Sequence, residues 1–327
     1  MIDLASLLYE TPAYRTFLGD KQNGRLSHAY LIVSHDQQFL GEYLKLFALT
    51  AVCDNAKPCL ECRACKLVLA GAHPDVIFYP QKAGAVLAED VNSLIEQSYV
   101  KPLESKKKIF VINNADTMNA SAQNKLLKTL EEPPHGVHIL LGANSEFPLL
   151  ATVKSRVRKL DISAFNDRQL ISALSEDCPD VEKLKRAIAC GDGSVGKALS
   201  LYGDENLKAV TDYAFSVLAD MQSSKDLFKF STAFSALKID VSEFLSVLEL
   251  LLRDLMVIHN GRADLVNNAD LLNRLKTIKG FCGGSIIHAL ECVNQAYKRK
   301  KFNANTTMLV EWLLFQILEG KYKWQKL

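Results

Sequence analysis

Short apolar runs set between helical periods constrain this chain more than any other feature. "HAYLIV" (28–33), "DVIFYP" (75–80), "KIFVIN" (108–113) and "VHILLGA" (137–143) are β-branched or aromatic and almost continuously apolar, as strands covered on both faces should be. Between them "QFLGEYLKLFALTAV", "AEDVNSLIEQSYV" and "NASAQNKLLKTLEEPP" repeat with helical period. Strand and helix alternating at this spacing predict a parallel sheet with right-handed crossovers. Residues 1–163 are therefore read as one α/β domain, a parallel sheet with flanking helices. After "VRKLDI" the strand signal stops. Short helical pieces broken by Gly191, Gly193 and Gly196 predict a small helical lid over 164–203. Beyond Gly203 the period is helical throughout, predicting an all-α C-terminal domain over 204–327. Within it "VSEFLSVLELLLRDLMVIHN" is apolar nearly all round, the pattern of a bundle's central helix, and Asp240 with Glu243 offers it a capping box. A length of 327 residues suits several cores better than one.

Four of the eight cysteines, Cys53, Cys59, Cys62 and Cys65, crowd into a module spanning about residues 50–68. Overlapping C-x-x-C pairs, helped by a turn at Pro58, bring sulfurs close together, and four thiolates fill the shell of a tetrahedral Zn²⁺ with no open position. The expected metal is thus a structural zinc. Lys57, Glu61, Arg63 and Lys66 mark the segment as surface, which disfavours four idle thiols; an iron–sulfur cluster is the other use of such a set. Cys178, Cys190, Cys282 and Cys292 lack this spacing and are expected to be single buried or half-buried residues. The N-terminal "MIDLASLLYETPAY" has neither a basic n-region nor a small-residue cleavage site. No apolar run approaches the roughly 20 residues of a membrane span. A cytoplasmic location is expected, with no membrane partner.

The α/β domain lacks the residues that hold a nucleotide. After the first strand a phosphate loop would read G-x-x-x-x-G-K-[ST]; here the chain reads "SHDQQFLGEYLK", with Gly41 alone and Asp36 set to repel a phosphate. At the third strand, where an Asp would hold Mg²⁺ and a Glu would orient water, stand Asn113 and Asn114. An amide cannot act as general base. No bound ATP and no intrinsic catalysis are expected.

In "NKLLKTLEEPPHG" the helix stops at Pro133 and Pro134, and Glu131 and Glu132 lie at its C-terminal end, where the macrodipole disfavours them. Either a basic group, such as one on a neighbouring chain, partners them or solvent does. Ser155 and Arg156 follow at the edge of the sheet, with Lys154, Arg158 and Lys159 nearby. Lys106, Lys107 and Lys108 read as a solvated turn. The span 297–327 carries seven basic residues, Lys298, Arg299, Lys300, Lys301, Lys321, Lys323 and Lys326, against two acids, so phosphate contact is conceivable there. The whole chain balances 39 basic against 37 acidic residues, for a net charge of +2, which gives no footprint for tight autonomous DNA binding.

Taken jointly, "SHAYLIV", the cysteine array followed by "AGAHPDVIFYP", "KIFVINNADTMNASAQNKLLKTLEEPPHGVHILL" and "LLATVKSRVRKLDI" resemble the AAA+ clamp-loader subunits of bacterial DNA polymerase III, those of the delta-prime type. The motifs cover residues 8–203, and "FNANTTMLVEWLLFQIL" looks like the last helix of the family's collar. The resemblance implies an AAA+ domain carrying the zinc module, a lid, and a collar that holds subunits in a ring-like pentamer. Implied partners are the gamma/tau and delta subunits, with the sliding clamp and primed DNA reached through the complex. In the family a Ser-Arg-Cys motif supplies an arginine finger to a neighbour's ATP site. Carried over, Ser155 and Arg156 take that role, with Val157 where the cysteine usually stands. Lys197 lies nearest the family's sensor arginine and is expected to be structural. Two other readings stay open: a zinc-module nucleic-acid-binding protein on a degenerate scaffold, and an active ATPase leaning on Asp116.

Overall fold

The computed structural model describes the chain apart from residues 1–3, 82–83, 204–205, 238, 264–265, 267–271, 302–303 and 324–327. It divides into two compact units, Met1–Pro179 with Gly193–Gly196, and Asp180–Asp192 with Lys197–Leu327.

The first unit begins with α1 (Leu4–Glu10) and α2 (Pro12–Gln22), then β1 (Ala29–Ser34), α3 (Leu40–Val52), α4 (Arg63–Leu69), β2 (Val76–Tyr79), α5 (Ala88–Ser98) and β3 (Lys108–Ile112). It continues through α6 (Ala120–Glu131), β4 (Val137–Ala143), α7 (Ala151–Lys154), β5 (Arg158–Ile162) and α8 (Asp167–Leu174). The sheet order is β2-β3-β4-β1-β5, and every pairing is parallel. Every residue of β1 and β3 is buried, so the unbroken apolar runs report a sheet covered on both faces. In β5 only Leu160 and Ile162 are buried, the half-covered pattern of an edge strand. The expected α/β architecture is present. The opening helices were not read from the sequence; α2 is fixed by Thr11, whose side chain accepts the N–H of Tyr14, with Pro12 in the first turn.

In the second unit α9 (Val181–Ala189) and α10 (Val195–Gly203, whose first two residues belong to the first unit) precede α11 (Leu207–Asp220), α12 (Ser224–Ala236), α13 (Val241–His259), α14 (Leu272–Leu275), α15 (Gly283–Lys301) and α16 (Thr306–Lys323). As expected, α13 is the central helix: most of its residues are buried, and it packs against α11 and α15. Asp240 caps it, accepting the N–H groups of Ser242 at 2.7 Å and Glu243 at 3.3 Å. Tyr213 meets Phe230, Phe234 and Phe244 in edge-on and tilted ring contacts within this core. Cys178, Cys190 and Cys292 are buried and Cys282 is half-buried.

Candidate functional site

The four clustered cysteines converge. Their sulfurs all lie within 4.8 Å of one another, and Cys53 Sγ is 3.7 Å from Cys59 Sγ. A tetrahedron with zinc–sulfur bonds of about 2.3 Å has edges of about 3.8 Å, so the group could hold a metal ion and fits a zinc module. Leu60 adopts a left-handed conformation, φ 60°, which turns the chain between Cys59 and Cys62. The turn aims the Cys62 N–H at Cys59 Sγ and the Cys65 N–H at Cys62 Sγ, each at 3.4 Å. N–H donors from Cys62 and Glu61 pull the Cys59 thiol down to about 6, while burial pushes Cys65 up to about 12. Four thiolates this close require a divalent cation to ionise together.

Two ties hold the module to the domain. Lys21 of α2 donates to the carbonyls of Cys53 at 2.6 Å and Ala56 at 3.4 Å, and to that of Asn55. Arg63 grips Glu104 through Nε at 3.1 Å and Nη2 at 2.8 Å. The loop carrying Glu104 is itself fastened by Asp75, a buried residue that the sequence reading passed over. Its carboxylate accepts the N–H groups of Leu103, Glu104 and Ser105, each at 2.7 Å.

The turn after β1 is closed from within. Asp36, buried, accepts the N–H of Gly196 at 3.1 Å, the hydroxyl of Tyr43 at 3.2 Å and, at 3.4 Å, the N–H of Phe39. Amides at the starts of α3 and α10, the kind of donor that binds a phosphate, are thus taken by the chain's own carboxylate. A Cβ on Gly196 would come within 2.6 Å of Gln38 Cβ and 2.7 Å of Asp36 Oδ1, so glycine permits the approach. Beside β3 a cavity of about 300 Å³ is lined by Gly41, Tyr79, Val111, Asn113 and Asn114, with no lysine or arginine among its described lining residues. Asn113, Asn114, Asp116 and Asn144 each keep a buried side-chain oxygen without a donor among the described residues. Asp116 spends its other oxygen on the N–H of Asn144 at 3.2 Å.

Ser155 and Arg156 stand between α7 and the edge strand β5. The Arg156 backbone is pinned on both sides: its N–H donates to Val153 at 3.0 Å, and its carbonyl lies 3.1 Å from His28 Nε2. Its Nη1 donates to the Thr152 carbonyl at 2.9 Å and to Ser155 Oγ at 3.2 Å. Its Nη2 lies 2.5 Å from Glu131 Oε1. The basic group that answers Glu131 is therefore on the same chain. A carboxylate at a helix C-terminus costs roughly 0.3–1 kcal/mol, and an exposed ion pair returns about 0–1 kcal/mol. The pair is close to neutral for stability.

Several members of the basic clusters are engaged within the chain. Lys108 is buried, with its ammonium 3.3 Å from the Val100 carbonyl and 3.4 Å from Gln97 Oε1, so it is not part of a solvated turn. Arg299 lies 3.8 Å over the Trp312 ring, and Lys300 bonds Ser242 Oγ and pairs with Asp240 at 3.6 Å. Lys321 is buried against the carbonyls of Leu218 at 2.6 Å and Met221 at 3.0 Å. Lys326 lies outside the described residues. Lys197 pairs with Asp192 at 2.8 Å.

A family model described as "DNA polymerase III, delta subunit" matches residues 9–166. DNA polymerase III subunit delta' of Bacillus subtilis (strain 168) is 28% identical over 308 residues, covering 91% of this chain and 93% of that protein. The subunit of the same name from Escherichia coli (strain K12) is 29% identical over 264 residues, 78% of each. The family match and these relatives support a delta-prime subunit of the DNA polymerase III clamp loader. Its first unit is an α/β domain built on a five-stranded parallel sheet, with a cysteine module that could hold a metal ion. Tau/gamma of Haemophilus influenzae is also similar, at 30% identity over 192 residues, 55% of this chain and 27% of that one. Among the described residues no helix is long and apolar enough to cross a membrane.

Proposed function

We propose that this chain is the non-ATP-binding subunit of a cytoplasmic clamp loader, helping to load the sliding clamp onto primed DNA beside gamma/tau and delta partners. It supplies Arg156, with Ser155, in trans to the ATP site of an adjacent gamma/tau subunit. In this reading residues 1–163 form the AAA+ domain, 164–203 the lid and 204–327 the collar that holds the ring, and Cys53, Cys59, Cys62 and Cys65 hold a structural Zn²⁺.

The observation that carries the reading is the contrast between two ends of one sheet. At the turn after β1, Asp36 takes the amides a phosphate would need, while beyond β4 a guanidinium is presented at the edge. A chain built this way has no phosphate cradle of its own and offers a cation to another's. A guanidinium brought to a transferring phosphoryl group stabilises charge spread over its oxygens, and such fingers raise rates by about 10³- to 10⁵-fold. The neighbour's similarity in sequence suits a ring in which equivalent edges face successive sites.

The test has two parts. Calorimetric titration of Mg-ATP into the isolated chain should give no binding heat, and clamp loading on primed DNA by gamma and delta subunits should require this chain. Saturable nucleotide binding by the isolated chain, or full loading without it, would contradict the proposal.

A further inference from the structure

We infer that Glu131 is a positioning residue for Arg156: it fixes the guanidinium in the orientation from which it reaches the neighbouring site. The inference rests on the trans-finger reading above. Three acceptors hold the two terminal nitrogens of Arg156, and they come from separate elements: Thr152 and Ser155 from the α7 turn, Glu131 from the last residue of α6. Two points from α7 alone leave the guanidinium free to swing about the line joining them; the third, from α6, defines its plane. Of the five N–H donors of an arginine, the Nε–H and one Nη2–H then remain without an acceptor among the described residues, both available to an incoming anion.

Stability does not account for Glu131, because the helix end that carries it disfavours a carboxylate by as much as the exposed pair returns. Nor does the pair lock the arginine away. Both side chains are part-exposed, 33% for Arg156 and 48% for Glu131, so water screens the attraction and phosphate oxygens can displace it. What the contact supplies is preorganisation, which acts on the rate because the finger is already aimed when charge develops.

The experiment is a double-mutant cycle on the DNA-stimulated ATPase of the reconstituted clamp loader, with assembly checked by gel filtration. Glu131→Ala is expected to lower kcat at the site served by about tenfold and leave the KM for ATP in place, since the finger acts on the transition state. Glu131→Gln, which keeps the acceptor oxygen, should restore most of the rate. On an Arg156→Ala background Glu131→Ala should have no further effect. If Arg156→Ala slows turnover but Glu131→Ala does not, or if the Glu131→Ala loss persists without Arg156, the positioning role is overturned while the finger stands. If Arg156→Ala itself leaves turnover unchanged, the trans-finger reading is what fails.

Discussion

The carboxylate of Asp36 accepts the backbone N–H of Gly196 across 160 residues of sequence. The bond joins the turn that would cradle a phosphate to the start of α10, and both sides of the contact depend on residue type. Asp36→Ala should leave buried amides unpaired and cost about 1–3 kcal/mol, and Gly196→Ala should cost a similar ~1–3 kcal/mol by overpacking against Gln38. Urea denaturation measures both. Neither variant should gain ATP binding, because the Gly-Lys-Ser/Thr element is still missing.

Removal of zinc should destabilise the first unit. Zinc bound per chain, measured by elemental mass spectrometry, should be stoichiometric in the wild type and lost in Cys59→Ser, and binding should release protons. Lys21→Met, which deletes the cation bonded to the module's carbonyls, should weaken zinc by about 10- to 100-fold, as loss of outer partners does. Unchanged affinity would show that Lys21 merely crosses the loop.

Much of this was legible beforehand, for physical reasons. Runs such as residues 29–33 announce a doubly covered sheet because burial on both faces leaves no regular alternation of polar positions. The cysteine spacing announces its cluster because geometry ties C-x-x-C to a turn. Asp36 was readable as hostile to phosphate, but its bond to Gly196 was not, since nothing local encodes a partner 160 residues away. Likewise Glu131 stood out as misplaced, while its partner Arg156 came from another element. The cluster at 297–327 shows the limit from the other side: charge can be counted in a sequence, but that Lys321 turns inward to the Leu218 and Met221 carbonyls cannot.

Asp75 should make stability depend on acid pH. Burial opposes its ionisation, but the N–H groups of Leu103, Ser105 and Glu104 outweigh that and hold the carboxyl below its usual 3.8. A depressed folded value contributes stability above the unfolded value and loses it as pH falls through the folded one. The wild type's advantage over Asp75→Asn, about 1–3 kcal/mol near neutrality, should therefore shrink on acidification below about pH 4. Urea titrations across that range check it; a constant difference would contradict the assignment.

Lys321 predicts a slope of the same sign at high pH. Burial pulls its ammonium down to about 8 from 10.5, against a smaller upward pull from Asp220. Between those values the unfolded chain binds more protons than the folded one, so stability rises with pH across the window. The stability difference between wild type and Lys321→Met should move in the wild type's favour from pH 8 to 10.5, read from paired denaturation curves. A flat difference would place the ammonium in contact with water.

The central claim is that this chain gives catalysis to a neighbour without keeping any. The most direct test is DNA-stimulated ATP turnover by a clamp loader reconstituted with gamma, delta and clamp, comparing wild type with Arg156→Ala. The account predicts normal assembly and a loss of about 10³-fold or more at the one site served, with no hydrolysis by the isolated chain. Undiminished turnover at that site in a fully assembled complex would contradict it.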